Sequence, residues 1–389
     1  MADRAGRALP GPLVAGFAIS AVGGPLALTA LLVPDAAGPD GISSLGLVTL
    51  AGVGLFAAPM LVWWRFSGEI ASSGGLYTFV ERAAGRRVAL AHGTAWILSY
   101  FLYLPFTVTE LVYDQVPESF PGIRQHQAAI EIAAPVVIVG SVILAERAVM
   151  GLMLVGAVVQ IGLVLALGAV VLQHSGADAS AFTSHAAARP LARGAANVSL
   201  LFLCASLPLY LGAEVRGGGR MLRRTMLIAV AAVGICTIAG SFPYATLSPS
   251  LAASEVPGYA VARAYEGDGF AAVIALAGIA SVASLIFAEY IALIRLVPAM
   301  FGVPRLRTAL ILGAAFVGGC LVSLINPDRA YVYALTPALS ALYISQAFVF
   351  VAYLRFRGRP SPVDWAAAAV ATVLMGFGLW VVVSQQPYT

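Results

Sequence analysis

The chain has 389 residues, 60% of them hydrophobic and only 10% charged, and its net charge of +4 rests on 22 arginines without a single lysine. Soluble domains carry about 25% charged residues, so this composition excludes a soluble protein or a sizeable soluble domain and predicts a polytopic, all-α membrane protein. Cys204, Cys236 and Cys320 lie in apolar runs with no disulfide or zinc spacing, and Arg216–Arg220 lacks the strand and Lys of a phosphate loop, so neither cofactor, metal centre nor nucleic-acid partner is expected.

The N-terminal MADRAGRALP is a basic tail without a clear small-residue cleavage site, which predicts an uncleaved first helix. Span 1, about 11–33, is uncharged and as a helix would cover roughly 35 Å, enough to cross a bilayer. Gly23, Gly24 and Pro25 interrupt its middle: glycine weakens helix, and Pro25 has no N–H and opposes the preceding turn. Two readings follow, a proline-kinked helix packed through small residues, or a discontinuous helix whose freed backbone lines a substrate cavity. Ten further spans fall at about 45–66, 89–116, 128–145, 148–172, 195–213, 225–247, 269–297, 307–325, 330–354 and 363–383, with a very tight turn between spans 4 and 5. With the N-terminus in the cytoplasm, seventeen arginines fall in inside segments and five in outside ones. This bias predicts a multi-pass protein of the cytoplasmic membrane with its N-terminus inside and, for eleven spans, its C-terminus outside.

After span 2 the chain reads Glu69, Gly74, Gly75, Tyr77 and Gly85; after span 6 it reads Glu214-Val-Arg216-Gly-Gly-Gly-Arg220; span 8 ends in Arg295, Pro298 and Gly302. This pattern resembles the amino acid/polyamine/organocation permeases, in which a Glu precedes a Gly-Gly-x-Tyr element and a Gly before span 3. The glycines after Glu214 stand where the resembled motif has Pro. The resemblance covers roughly spans 1–10 and implies a single transporter domain with a leucine-transporter-like fold. In it two inverted five-helix repeats, about 11–172 and 195–355, are followed by an extra helix at 363–383. Independently, span 6 is interrupted at Cys204–Gly212, around Ser206 and Pro208, as its partner span 1 is at Gly23–Pro25. Breaks at corresponding positions of two halves point to a midplane site.

The candidate substrate residues are therefore Ser20, Val22, Gly23, Gly24 and Pro25 of span 1, Tyr100 and Tyr103 of span 3, and Phe202, Cys204, Ser206, Pro208 and Tyr210 of span 6. Half-helix N-termini present free N–H groups that suit a carboxylate. Pro25 replaces the second glycine of the resembled Gly-x-Gly turn and removes one donor. Candidates for a coupling ion are Ser281 and Ser284, which share a face of span 8 and suit sodium, and the intramembrane carboxyls Glu110 and Glu289, which suit a proton. The bland reading of these groups is small-residue packing for the serines, a hydrated vestibule for Glu110 with Asp114, and a buried hydrogen bond for Glu289. Span 5 offers only Gln160 where some relatives of this kind carry a basic residue. Glu69, amid Arg65, Arg82, Arg86 and Arg87, and Glu214, beside Arg216 and Arg220, read as inner-gate ion pairs. Trp63, Trp64, Trp365 and Trp380 read as interface anchors, and His92 as a packing residue.

The function implied is secondary transport of an amino acid or small organic amine by alternating access, with sodium, proton or exchange coupling. A permease-shaped sensor would use the same broken helices without flux. An intramembrane enzyme would need clustered catalytic side chains, which the spans lack. The sequence leaves the oligomeric state open.

Overall fold

The computed structural model describes residues 8–384 apart from 39–40, 177, 186, 249–250, 252–253 and 255. Among these, ten helices are long and apolar enough to cross a membrane. One of them, Pro121–Ser175, would be about 80 Å long if straight. It is two helices that meet at the non-helical Ala145 (φ −146°, ψ 39°), matching spans 4 and 5, so eleven stretches of membrane-spanning length lie among the described residues.

Span 1 is Gly11–Ala21 and Pro25–Ala37, the second part passing through a wide turn at Leu28–Leu32. Span 2 is Leu45–Glu69, followed by the short helix Gly75–Ala84 and span 3, Arg86–Glu110. Span 6 is Ala188–Leu201 and a tight 3₁₀ segment, Leu203–Leu211. Span 7 is Gly218–Ser241. Span 8 belongs to the helix Pro257–Phe301, which turns at Gly267 (φ 82°, ψ −177°). Spans 9, 10 and 11 are Arg305–Ser323, Pro327–Arg357 and Pro362–Ser384. Asn326 starts span 10 by accepting the Arg329 N–H, with Pro327 at the first helical position, where its missing N–H costs nothing.

The inverted repeat is visible in detail. Gly85 (φ 86°, ψ 166°) ends the short helix before span 3 just as Gly267 ends a short helix before span 8. Both glycines hold backbone that an L side chain resists. The spans expected from sequence leave 248–268 as the connection between spans 7 and 8; its second half is this helix. With no hydrophobic drive between helices in lipid, packing relies on small residues. A Cβ on Gly16 would lie 2.4 Å from the Leu154 backbone, so only glycine lets spans 1 and 5 meet there. Spans 3, 10 and 11 form one packed group and spans 1, 5 and 7 another, while Leu144, Leu152 and Ile235 stay exposed on the apolar outside of the bundle. Trp63 is fully buried against Phe350, ring centroids 6.0 Å apart, so it is core rather than an anchor; Trp365 and Trp380 are exposed.

Candidate functional site

At the break, Gly23 N–H and Gly24 N–H both reach back to the Ser20 carbonyl (3.2 and 3.1 Å), and the second half-helix restarts with Leu28 N–H on the Gly24 carbonyl (3.0 Å). Gly23 (φ 106°) has open space where a Cβ would stand, whereas a Cβ on Gly24 (φ 69°) would fall 1.9 Å from Ser281 Oγ. The two glycines therefore do different things: Gly23 faces a cavity and Gly24 lets span 1 touch span 8. Ser281 Oγ accepts the Ala27 N–H (3.2 Å) and donates to Gln160 Oε1 (2.8 Å). Of the first-turn amides, Pro25 has none and Ala27 is taken. The carboxylate cradle expected from sequence is thus partly filled by the protein itself.

The cavity, about 980 Å³, is lined by both breaks: Gly23 on one side, Leu203 and Cys204 on the other. Tyr100, Tyr103 and Leu285 line it between spans 3 and 8. Toward its mouth stand Asp35, Glu110, Arg189, Arg193 and Asn197. The last three fall at i, i+4 and i+8, one face of the first half of span 6. Every mouth residue belongs to the helix ends opposite the arginine-rich loops. Below the cavity an aromatic stack closes the path: Tyr100 lies 4.2 Å from Trp96, and Trp96 4.5 Å from Tyr210.

At the arginine-rich end, Arg295 donates to Glu214 (2.8 and 2.9 Å) and to Glu146 (2.5 Å), and Arg305 pairs with Glu146. The Arg295 side chain is 1% exposed, and the network ties the span 4–5 turn, the loop after span 6, span 8 and span 9. Leu9 adds a backbone stitch, with its N–H on the Glu214 carbonyl (2.7 Å) and its carbonyl accepting from Arg216 N–H (3.0 Å).

Of the sequence candidates for substrate, Gly23, Tyr100, Tyr103 and Cys204 line the cavity. Ser20 is fully buried, its hydroxyl on the Met153 carbonyl. Val22, Gly24 and Pro25 are buried within span 1's packing. Phe202 packs on Phe56, Ser206 accepts from Gln346 on span 10, Pro208 sits buried in the 3₁₀ segment, and Tyr210 belongs to the stack beneath. A 3₁₀ segment has three residues per turn rather than 3.6, so helical spacing misassigns its faces. Ser284 donates to the Ala280 carbonyl, an in-helix bond; Glu110 lines the mouth. Glu69 pairs with Arg357 (3.0 Å), not with its sequence neighbours, and Glu214 with Arg295 and Arg305 rather than Arg216 or Arg220. Arg216 contributes its backbone, and Arg220 lies at the same end, on the first turn of span 7. In each case tertiary approach outcompetes chain proximity.

Sequence reasoning missed Arg189, Arg193 and Asn197, whose helical spacing was readable, and Glu131, a plain in-span carboxyl buried with Thr109 and Ser323. It also missed Thr336, Leu339 and Tyr343 of span 10 and Gly378 of span 11, which carry no local signal.

No family model matches the chain, and no curated relative matches it either. Solved structures do. A manganese transporter of Eremococcus coleocola, bound to an aromatic bis-isothiourea compound, superposes with a TM-score of 0.63 at 11% identity, over 96% of this chain and 87% of that one. A Na+-coupled sialic acid symporter gives 0.63 at 13%, over 99% and 91%. MhsT in complex with L-phenylalanine gives 0.58 at 15%, over 95% and 97%. The chain has the leucine-transporter-like fold, a five-plus-five inverted repeat with discontinuous spans 1 and 6.

Proposed function

We propose that this chain is a secondary transporter of the amino acid/polyamine/organocation type, carrying an amino acid or small organic amine by alternating access. The observation that carries the reading is the cavity that touches both helix breaks, open at one end and sealed at the other by the Trp96–Tyr210 stack and the Arg295 network. A mouth with Arg189 and Arg193 on one wall and Asp35 and Glu110 on others suits a solute bearing both signs of charge. The arginine asymmetry supports a cytoplasmic membrane location with the N-terminus inside, so the open end faces out. Neighbours of the same fold are named for manganese, sialic acid and L-phenylalanine, which supports a small solute as cargo and, for the symporter, ion coupling. The reading involves no chemical step, so the chain acts here without being an enzyme.

Thermal melting of the purified protein with individual amino acids and amines tests it. A bound solute raises the apparent melting temperature by mass action. Uptake of that labelled solute into proteoliposomes under a sodium or pH gradient is then expected. No shift with any amino acid or amine removes the substrate class; binding without flux under every gradient replaces the transporter with a sensor.

A further inference from the structure

Glu289 is fully buried in span 8, and among the described residues neither of its carboxylate oxygens has a hydrogen-bond partner. Buried carboxylates are ordinarily paired or hydrogen-bonded, and an intramembrane one left bare is a functional candidate. Its place in the fold is specific. Leu285, one helical turn nearer the mouth and on the same face, lines the cavity. Arg295, roughly 9 Å further along the helix, anchors the sealed end. Glu289 thus sits between the cavity floor and the closed gate.

The cavity lining here includes the titratable side chains Tyr100 and Tyr103 of span 3 and Cys204 of span 6, beside Leu285. Spans 1, 5 and 9 also pack against the helix that carries Glu289, and none of their described residues hydrogen-bonds to its carboxylate. On its own helix Arg295 is engaged with Glu146 and Glu214. A hard metal cation needs a shell of about six oxygen ligands. A proton needs no such shell. Of the span 8 hydroxyls that suit sodium, Ser281 gives one lone pair to the Ala27 N–H and its proton to Gln160, and Ser284 donates to the Ala280 carbonyl of its own helix.

We propose that Glu289 is the coupling site of this transporter and that the coupled ion is a proton. With the cavity open, the carboxylate takes a proton from hydronium at the cavity floor, forming one O–H bond and leaving water. With the opposite end open, it returns that proton to water on the other side. The charge of Glu289 sets which state is favoured, because a bare carboxylate demands water from whichever end is open. This rests on the transporter reading.

The test uses the full-length protein in liposomes and the native thiol Cys204, which lines the cavity, with Cys236 and Cys320 replaced by serine. Its labelling rate by a membrane-impermeant maleimide is measured across acid to mildly alkaline pH and divided by the rate for a free thiol at each pH. We expect a severalfold pH dependence in the otherwise unsubstituted protein, its loss in Glu289→Gln, and no change when choline replaces sodium. The same pH profile in both proteins, or a profile set by sodium, overturns the proposal. If Glu289→Gln does not fold, Glu289→Asp carries the test: the shorter carboxylate must move the midpoint, and an unmoved midpoint counts against the site. A protein that transports with identical pH profiles in wild type and variant loses the proton site but keeps the transporter reading. A pH-sensitive Cys204 lost in the variant, without solute flux under any gradient, keeps the proton site and removes transport.

Discussion

Gly23 and Gly24 are adjacent, both at positive φ, and respond to opposite demands. At Gly23 a methyl group meets nothing, so Gly23→Ala costs only backbone strain, roughly 1–3 kcal/mol. At Gly24 the methyl lands on Ser281, and moving that hydroxyl away forfeits its bonds to Ala27 and Gln160. Gly24→Ala should therefore cost roughly 1–2 kcal/mol more than Gly23→Ala. Thermal melting in detergent reads the order. The Ser281→Ala background should narrow the gap, because the hydroxyl clash and its hydrogen bonds are then removed together, and only the closer approach to the position 281 backbone carbonyl (2.9 Å) remains. An equal cost in both backgrounds would mean that the span 1–span 8 contact does not hold the break.

At the scale of elements, two ion pairs at the arginine-rich end differ in worth. Arg295 is buried and shared by two carboxylates, so Arg295→Met should destabilise by about 3 kcal/mol or more, since Glu146 and Glu214 are left leaning on the half-exposed Arg305 alone. Hydrogen exchange at Leu9 and Arg216 should quicken with it, because their backbone stitch runs through Glu214. The Glu69–Arg357 pair is exposed on both sides and should contribute under about 1 kcal/mol, so Glu69→Gln should melt almost as the parent does. A large loss in Glu69→Gln with none in Arg295→Met would reverse which of the two closes this end.

For the whole molecule, orientation and alternation are linked. If the arginine-rich end is cytoplasmic, a cysteine at position 220 is labelled only after an impermeant reagent is given access to the inside, while Cys204 is labelled from outside through the open cavity. Labelling at 220 from outside inverts the protein and turns the observed state into one open to the cytoplasm. Closing the mouth requires Arg189 and Arg193 on span 6 to approach Asp35 and Glu110 on spans 1 and 3. Bound solute should therefore slow Cys204 labelling, and a solute that binds yet leaves the rate unchanged would argue against closure over it.

Residue order alone determined the membrane class, the spans, the tight turn at 145 and the interrupted spans 1 and 6. Each of these is a property of a contiguous stretch: apolar length, or a proline or glycine within it. Only the tertiary structure decided which residues form the site, because the cavity draws lining from spans 1, 3, 6, 8, 10 and 11, and contact between distant spans leaves no periodic trace in any one of them. It placed Gly24 against Ser281, paired Glu214 with Arg295 rather than the nearby Arg216, and set Ser206 against Gln346. Helical spacing says which residues share a face, but which neighbour that face meets depends on how the helices pack, and for Glu289 that packing left a carboxylate with no hydrogen-bond partner among the described residues.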